Sequence, residues 1–372
     1  MISERKRILH VIKGLGRGGA ERLLLSTIKH HHKEYSFDIV YFLSEKKHLE
    51  DELRSLGCHV FCIHSKNVFQ IILNIPKLVQ LLKRNQYDLI HAHLPWSGIA
   101  ARVAGKVTGT PVVYTEHNVF SRYNKLTQFF SKLTFHYQSY VIAVSDEVGY
   151  SLRKLVKPNV PVVVIQNGVD VVEFDSKKFS ANHLRKTYNL PQEACIIGTV
   201  TALTRQKRID RWLQIALEIS LLIPEAYFVI VGDGVLRDEL ERQAKPLIEK
   251  NKLHFAGATS NPASWMACMD IFLMSSDFEG LPVALLEAMS MRCVPVATRV
   301  GGIPGIIETD VNGLLYEPAD TISAVSGIVS LMDHNEHRLL MAAHARDTIE
   351  LNFSIKKMVA SLEKIYSSLI VS

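Results

Sequence analysis

The sequence predicts an α/β protein of two doubly wound, Rossmann-like domains facing across a cleft, and three observations carry that expectation. The chain has 372 residues, more than one ordinary core fills, so two domains are the natural division. Short Val/Ile-rich runs recur along it, each separated from the next by a helical stretch. That is the pattern of a parallel sheet covered on both faces. The alternation pauses once, in a polar stretch, and then restarts.

Residues 7–12 (Arg-Ile-Leu-His-Val-Ile) read as the first strand. Gly14, Gly16 and Gly19 follow in a G-x-G-x-x-G pattern, before an apolar-periodic helix over 22–30. The placement suits the backbone's close approach to a phosphate, and equally a plain glycine-rich turn. Further strands are expected at 37–43, 59–64, 89–93, 112–116, 141–145 and 162–166, with a helix at 50–56. The last of these strands runs into Asn167-Gly168-Val169-Asp170 and closes a first domain of residues 1–172. Residues 171–192 are polar, contain Pro191 and read as a linker. The second domain, 190–354, shows strands at 196–201, 228–231, 253–256, 271–275 and 295–298, and an amphipathic helix over 210–223. Beyond Gly313 the chain reads as wholly helical. Its final segment places Ile355, Met358, Val359, Leu362, Ile365, Tyr366 and Leu369 at spacings of three and four, a stripe suited to packing. The helix of about 355–372 is expected to pack back on the first domain.

Composition narrows the function classes. With 47% hydrophobic and 22% charged residues, the chain is globular rather than disordered. Its five cysteines are odd in number and scattered, which points to reduced thiols in a cytoplasmic compartment. The N-terminus enters a strand without a signal-peptide core. The best apolar run, 68–82, is interrupted by Gln70, Asn74, Pro76 and Lys77, too often for a membrane span. The net charge of +6 is uneven: residues 1–170 hold 23 Lys/Arg against 13 Asp/Glu, and 11 of the 16 histidines. The first half should therefore favour an anionic partner or surface. No nucleic-acid partner is expected.

The most distinctive stretch is Asp277-Phe-Glu-Gly-Leu-Pro-Val-Ala-Leu-Leu-Glu-Ala-Met289. Glu279 and Glu287 stand eight positions apart. Gly280 opens the backbone, and Pro282 suits the first turn of a helix. A strand, tight loop and helix start in that order expose unpaired N–H groups and the positive end of a dipole, a seat for phosphate. Glu287, on the second turn, can accept hydrogen bonds from sugar hydroxyls, and Glu279 can reach a second sugar beyond the phosphates. Two ordinary surface glutamates on a capped helix are the alternative.

Several other stretches end strands, where doubly wound folds bind ligands. They include His91-Ala-His93, Glu116-His117-Asn118, Leu203-Thr-Arg205-Gln-Lys207, Gly232-Asp233-Gly234 and Gly301-Gly302. With Gly18-Gly19-Ala-Glu21-Arg22, Tyr114-Thr-Glu-His117, Ala143-Val-Ser145 and Asn167-Gly168-Val-Asp170, the chain resembles the retaining glycosyltransferases of family 4, which have the GT-B architecture. The resemblance spans essentially the whole chain, and the glutamate pair around Gly-Leu-Pro is its most specific element.

That resemblance implies roles. Glu287 would hold the nucleotide ribose. Glu279, with the backbone of Phe278, Gly280 and Leu281, would hold the donor sugar and its phosphates. Lys207 would offset the diphosphate charge, Gly18 and Gly19 would let the first domain's backbone close on it, and His117 would hydrogen-bond the donor sugar near its reacting carbon. His91 and His93 read as buried polar residues bonded within the fold. Where the family commonly has arginine just before Leu203, this chain has Ala202. Arg205 is the candidate to supply that charge.

The reaction implied is transfer of a hexose-type group from a nucleoside-diphosphate sugar, UDP first, to a glycan or lipid-linked acceptor hydroxyl. The anomeric configuration would be retained. No strand-end Asp-x-Asp pair is present, so neither a metal nor another cofactor is expected. A sugar-nucleotide epimerase or a catalytically silent binding protein on the same fold would share these motifs. A nicotinamide-dependent oxidoreductase would explain only the glycine pattern: its second strand ends in Leu43-Ser44-Glu45, and the second half stays unexplained. Residues 119–135, taken as one helix, place Arg122, Lys125 and Lys132 among Phe129, Phe130, Leu133 and Phe135. That suggests peripheral attachment to an anionic membrane, against the plainer reading of a core helix.

Overall fold

The computed structural model describes residues 5–370. The chain forms two compact units. The first takes in the chain up to Gly168 together with the segment from Ile355 onward, and the second is Val169–Ser354.

The first unit is built on seven strands: β1 (Lys6–Ile12), β2 (Tyr35–Tyr41), β3 (His59–Cys62), β4 (Leu89–His93), β5 (Val112–Glu116), β6 (Tyr140–Ala143) and β7 (Val162–Val164). They pair in parallel in the order β3-β2-β1-β4-β5-β6-β7. Ile8, Leu9, Val11, Ile12, Leu89, Ile90 and Val113 are sealed from solvent, as strands covered on both faces must be. The second unit holds β8 (Ile196–Val200), β9 (Tyr227–Val231), β10 (Leu253–Gly257), β11 (Ile271–Met274), β12 (Val294–Thr298) and β13 (Leu314–Tyr316), in the order β10-β9-β8-β11-β12-β13. Its core gathers around fully buried Trp212, whose Nε1 donates to the Leu273 carbonyl at 3.1 Å.

Four expectations change. Residues 314–316, read as helical, form β13 and pair with β12; three residues are too few to show an alternating pattern. Residues 171–192 are not a free linker but part of the second unit. Arg185 there donates to the carbonyls of Pro191, Gln192, Ala194 and Cys268. The stretch 119–135 is not one helix. A 3-10 turn (Phe120–Arg122) buries Phe120, Asn124 caps a new helix (Lys125–Thr134), and Phe135 is buried in a further turn. Pro282 directly precedes its helix, Val283–Ser290, rather than lying in its first turn.

The helix Ile355–Leu369 buries Ile355, Met358, Val359, Leu362, Ile365 and Tyr366. It is tied to the first sheet by Tyr366 Oη at 2.5 Å from His91 Nδ1 and to His31 Nδ1 by Glu363 at 2.9 Å. Leu362→Ala removes a 4% exposed side chain from this contact. Urea unfolding should show a loss of about 3 kcal/mol in the first unit. A loss below about 1 kcal/mol would mean that the helix adds little to that core.

Candidate active site

Each sheet reverses direction beside its first strand, at β1/β4 and at β8/β11. At such a point the connections leave to opposite sides, and the loops after the two strands part to leave a crevice. The unusual residues of each unit collect there.

In the first unit, period-two alternation puts His91 and His93 on the same face of β4, and the register sets His10 of β1 directly beside His91. His93 Nε2 lies 3.0 Å from His10 Nδ1, and His93 Nδ1 lies 3.3 Å from Nε2 of His117, just after β5. His91 is engaged at both ends, by Tyr366 and by Thr115 Oγ1 at 2.7 Å. Among the described residues His10, His91 and His93 bring three ligand-type nitrogens within 4.8 Å of one another. Burial pushes His10 down to about 3 and His117 to about 4, and holds His91 and His93 well below the usual range. All four are neutral at pH 7.

Next to His117, Glu116 is fully buried and accepts from Tyr123 Oη at 2.5 Å, Tyr114 Oη at 3.2 Å and the Asn118 amide at 3.3 Å. Burial pushes its carboxyl up to about 7, against the pull of those donors and of buried Arg102. In the glycine loop a Cβ at Gly18 would stand 2.4 Å from the Glu21 carboxylate, so a side chain there would have to turn Glu21 aside.

In the second unit the loop after β8 is stitched to the loop after β11. Ser275 Oγ donates to the carbonyls of Lys207 and Arg208, the Asp277 amide donates to the Gln206 carbonyl, and Gln206 Nε2 donates to the Phe278 carbonyl at 2.8 Å. This frame holds Lys207 Nζ 2.5 Å from Glu279 Oε1. Arg208, in the left-handed region (φ +50°), is fixed by Asp210 and Asp277. The Gly302 amide donates to the Gly280 carbonyl at 2.7 Å, and a Cβ at Gly301 (φ +58°) would stand 1.9 Å from the Glu279 carbonyl oxygen. Pro282 offers no side-chain cap to the helix that follows; the Leu285 amide turns back to the Pro282 carbonyl, and the amides of Val283 and Ala284 ahead of it can face an anion. Glu287 projects from the next turn and is 7% exposed.

Residues 180–348 match the family of glycosyl transferases group 1, and residues 17–173 match glycosyltransferase family 4. The chain belongs to the family 4, group 1 glycosyltransferases. Across 339 residues this glycosyltransferase is 26% identical to the Escherichia coli UDP-Gal:alpha-D-GlcNAc-diphosphoundecaprenol alpha-1,3-galactosyltransferase, covering 87% of this chain and 86% of that one. It is 26% identical over 323 residues to the N-acetyl-alpha-D-glucosaminyl L-malate synthase of Bacillus anthracis, with 83% of each chain covered. Among solved structures, the Anabaena protein HepE in complex with UDP and glucose superimposes with a TM-score of 0.86. There 98% of this chain and 100% of that one are covered, at 20% identity. The fold is GT-B.

Of the residues singled out in the sequence, Lys207, Phe278, Glu279, Gly280, Leu281 and Glu287 gather at the second unit's switch point. Arg205 is exposed in the 3-10 turn Arg205–Lys207. His117, Gly18 and Gly19 belong to the first unit. Sequence reasoning missed His10, Gln206, Arg208 and Ser275 as members of these arrangements. Only His10 left a trace, a histidine inside an apolar strand; the other three act through contacts to distant residues.

The buried carboxyl beside His117 gives a pH test. Its folded pKa lies above the ordinary carboxyl value of 4.5. Between about pH 4.5 and 7 the folded state therefore holds the proton more firmly than the unfolded state, and this contribution to stability is lost as pH rises through that window. Each pH unit is worth at most about 1.4 kcal/mol. Urea unfolding of the wild type and Glu116→Gln from pH 5 to 8 should show the variant gaining roughly 2–3 kcal/mol relative to wild type at the alkaline end. Parallel curves would mean that Glu116 is ionised throughout.

Proposed function

We propose that this glycosyltransferase moves a hexose-type sugar from a UDP-sugar to an acceptor hydroxyl, with retention of configuration and without a metal. Cell-surface polysaccharide or glycolipid synthesis is the setting proposed. The observation that carries the reading is the Lys207–Glu279 pair, 2.5 Å apart, beside an uncapped helix start with Glu287 one turn on. A lysine and a helix N-terminus supply positive charge where a diphosphate must leave, which is the main electrostatic demand of the reaction. Arg205, exposed in the same turn, adds to it. Glu287 suits the ribose hydroxyls. Glu279 suits the transferred sugar and is the carboxylate paired with Lys207. His117 meets the donor sugar. In the step itself, the bond from the sugar's anomeric carbon to the β-phosphate oxygen breaks. The acceptor oxygen bonds to the same face, and its proton passes to the departing phosphate.

The names of related proteins support the donor: the Escherichia coli relative uses UDP-galactose, and HepE was solved with UDP and glucose. The test is a thermal-shift titration with UDP, GDP, UDP-glucose and UDP-galactose, since a ligand that binds only the folded state raises its melting temperature. UDP compounds should stabilise more than GDP. Glu287→Ala should weaken UDP binding at least about tenfold, because it removes hydrogen bonds to a charged acceptor. Undiminished UDP affinity in that variant would sink the assignment.

The acceptor proposed is lipid-linked, like the diphosphoundecaprenol compound that names the Escherichia coli relative, and met at the inner face of a membrane. The helix Lys125–Thr134 supports this. Its inward residues are the small polar Thr127, Ser131 and Thr134, whereas Leu126, Phe129 and Leu133 are 45%, 62% and 58% exposed. Lys125 and Lys132 lie on the same helix. Among the described residues no helix is long and apolar enough to cross a membrane, so attachment would be interfacial. Each basic residue near an anionic leaflet adds about 1 kcal/mol. The protein should sediment with vesicles containing anionic lipid at low salt, and binding should fall with added salt. It should also fall in a variant with Lys125, Phe129 and Lys132 changed to Ser. Protein left in the supernatant under those conditions would point to a soluble acceptor.

A further inference from the structure

We propose that His10 and His93 act as positioning residues that hold His117 in its Nδ1–H tautomer, so that His117 offers a proton donor, not a base, to what binds beside it. The inference deepens the reading of His117 as a sugar contact and rests on it.

The three rings form one chain of hydrogen bonds, His10 Nδ1 to His93 Nε2 at 3.0 Å and His93 Nδ1 to His117 Nε2 at 3.3 Å. Neutral imidazole has one donor nitrogen and one acceptor nitrogen, so the hydrogen bond made by one fixes the role of the other. Neutral rings in such a chain have only two arrangements. In one, every ring carries its proton on Nδ1: His10 donates to His93, His93 donates to His117, and His117 Nδ1–H points onward. In the other, every ring carries it on Nε2, the bonds run the opposite way, and His117 Nδ1 is left as a bare acceptor.

The inner end of the chain decides between them. His10 Nε2 is buried and has no hydrogen-bond partner among the described residues. If it carried the proton, that N–H would find no protein acceptor there, which is rarer in proteins than an unused lone pair. The neighbouring phenyl ring does not relieve this. The ring of Phe37 lies 5.5 Å away and is tilted only 34° from the His10 plane, so an in-plane N–H does not point into its face. The lone pair therefore sits at His10 Nε2, and the donor direction runs outward to His117. Packing of His93 against the tilted His91 ring, with centroids 4.3 Å apart, and the clamping of His91 by Tyr366 and Thr115 hold the middle ring in place. The low pKa values keep the rings neutral, without which no tautomer choice arises. For the bound sugar, the consequence is that His117 would meet an oxygen lone pair.

Long-range proton–nitrogen NMR of the full-length protein with 15N-labelled histidine tests this at pH 7.5. It needs no substrate, so its failure is distinct from failure of the transfer reading. Signals are assigned by single His→Gln variants. His10, His93 and His117 should all show a protonated, pyrrole-like Nδ1 and an unprotonated, pyridine-like Nε2. A protonated Nε2 on any of the three overturns the proposal. In His93→Phe the donor to His117 Nε2 is gone, and His117 should shift toward the Nε2–H form that an unconstrained imidazole prefers. His117 held fully in the Nδ1–H form in that variant would show that the chain does not set it. Where that variant fails to fold, the wild-type spectrum still decides.

Discussion

Parallel strands cannot be joined by a tight hairpin, and each must be reached by a crossover that carries the chain over a face of the sheet. Because both sheets here are wholly parallel and start from a central strand, each must reverse once. The reversal leaves two neighbouring strand ends whose loops diverge. In the first unit β4 ends in His93, which meets His10 from within β1, with His117 one strand further along; in the second the loops after the two strands carry Lys207 and Glu279. Every candidate functional group depends on this constraint. The same backbone, with the loops joined differently, would scatter them.

The two ends use different physics. In the second unit charge is exposed enough to meet a ligand yet held by a backbone frame. Gln206, Ser275 and the strained Arg208 lock the turn that carries Lys207, and Asp277 anchors the frame through two arginines. In the first unit the clustered histidines are neutral. Burial strips the histidines of their charge and keeps the proton on Glu116 up to about pH 7. Direction of hydrogen bonding, rather than charge, is then what such a site presents.

The helix Ile355–Leu369 connects chain order to this arrangement. It lies far along the sequence but belongs to the first unit, where its Tyr366 and Glu363 meet His91 and His31. Its apolar stripe was legible as a packed face from spacing alone. What it packs on was an expectation that periodicity cannot supply, because a stripe of Ile, Met, Leu and Tyr carries no address.

Repetition of short apolar runs between helical stretches determined the α/β class and nearly all of the strands, since period and length are local properties. Order and spacing of motifs such as Glu279 and Glu287 around Gly-Leu-Pro determined the family. The strand at 314–316 escaped because three residues show no period. The packing of 171–192 on the second unit escaped because Arg185 acts through carbonyls, which leave no mark in residue identity. Tertiary structure alone decided that His10 stands beside His91, that Lys207 reaches Glu279, and that Leu126, Phe129 and Leu133 face outward while threonines and a serine face in. Each of these is a relation between residues distant in the chain or a choice between two helix faces, and only the packed fold resolves it.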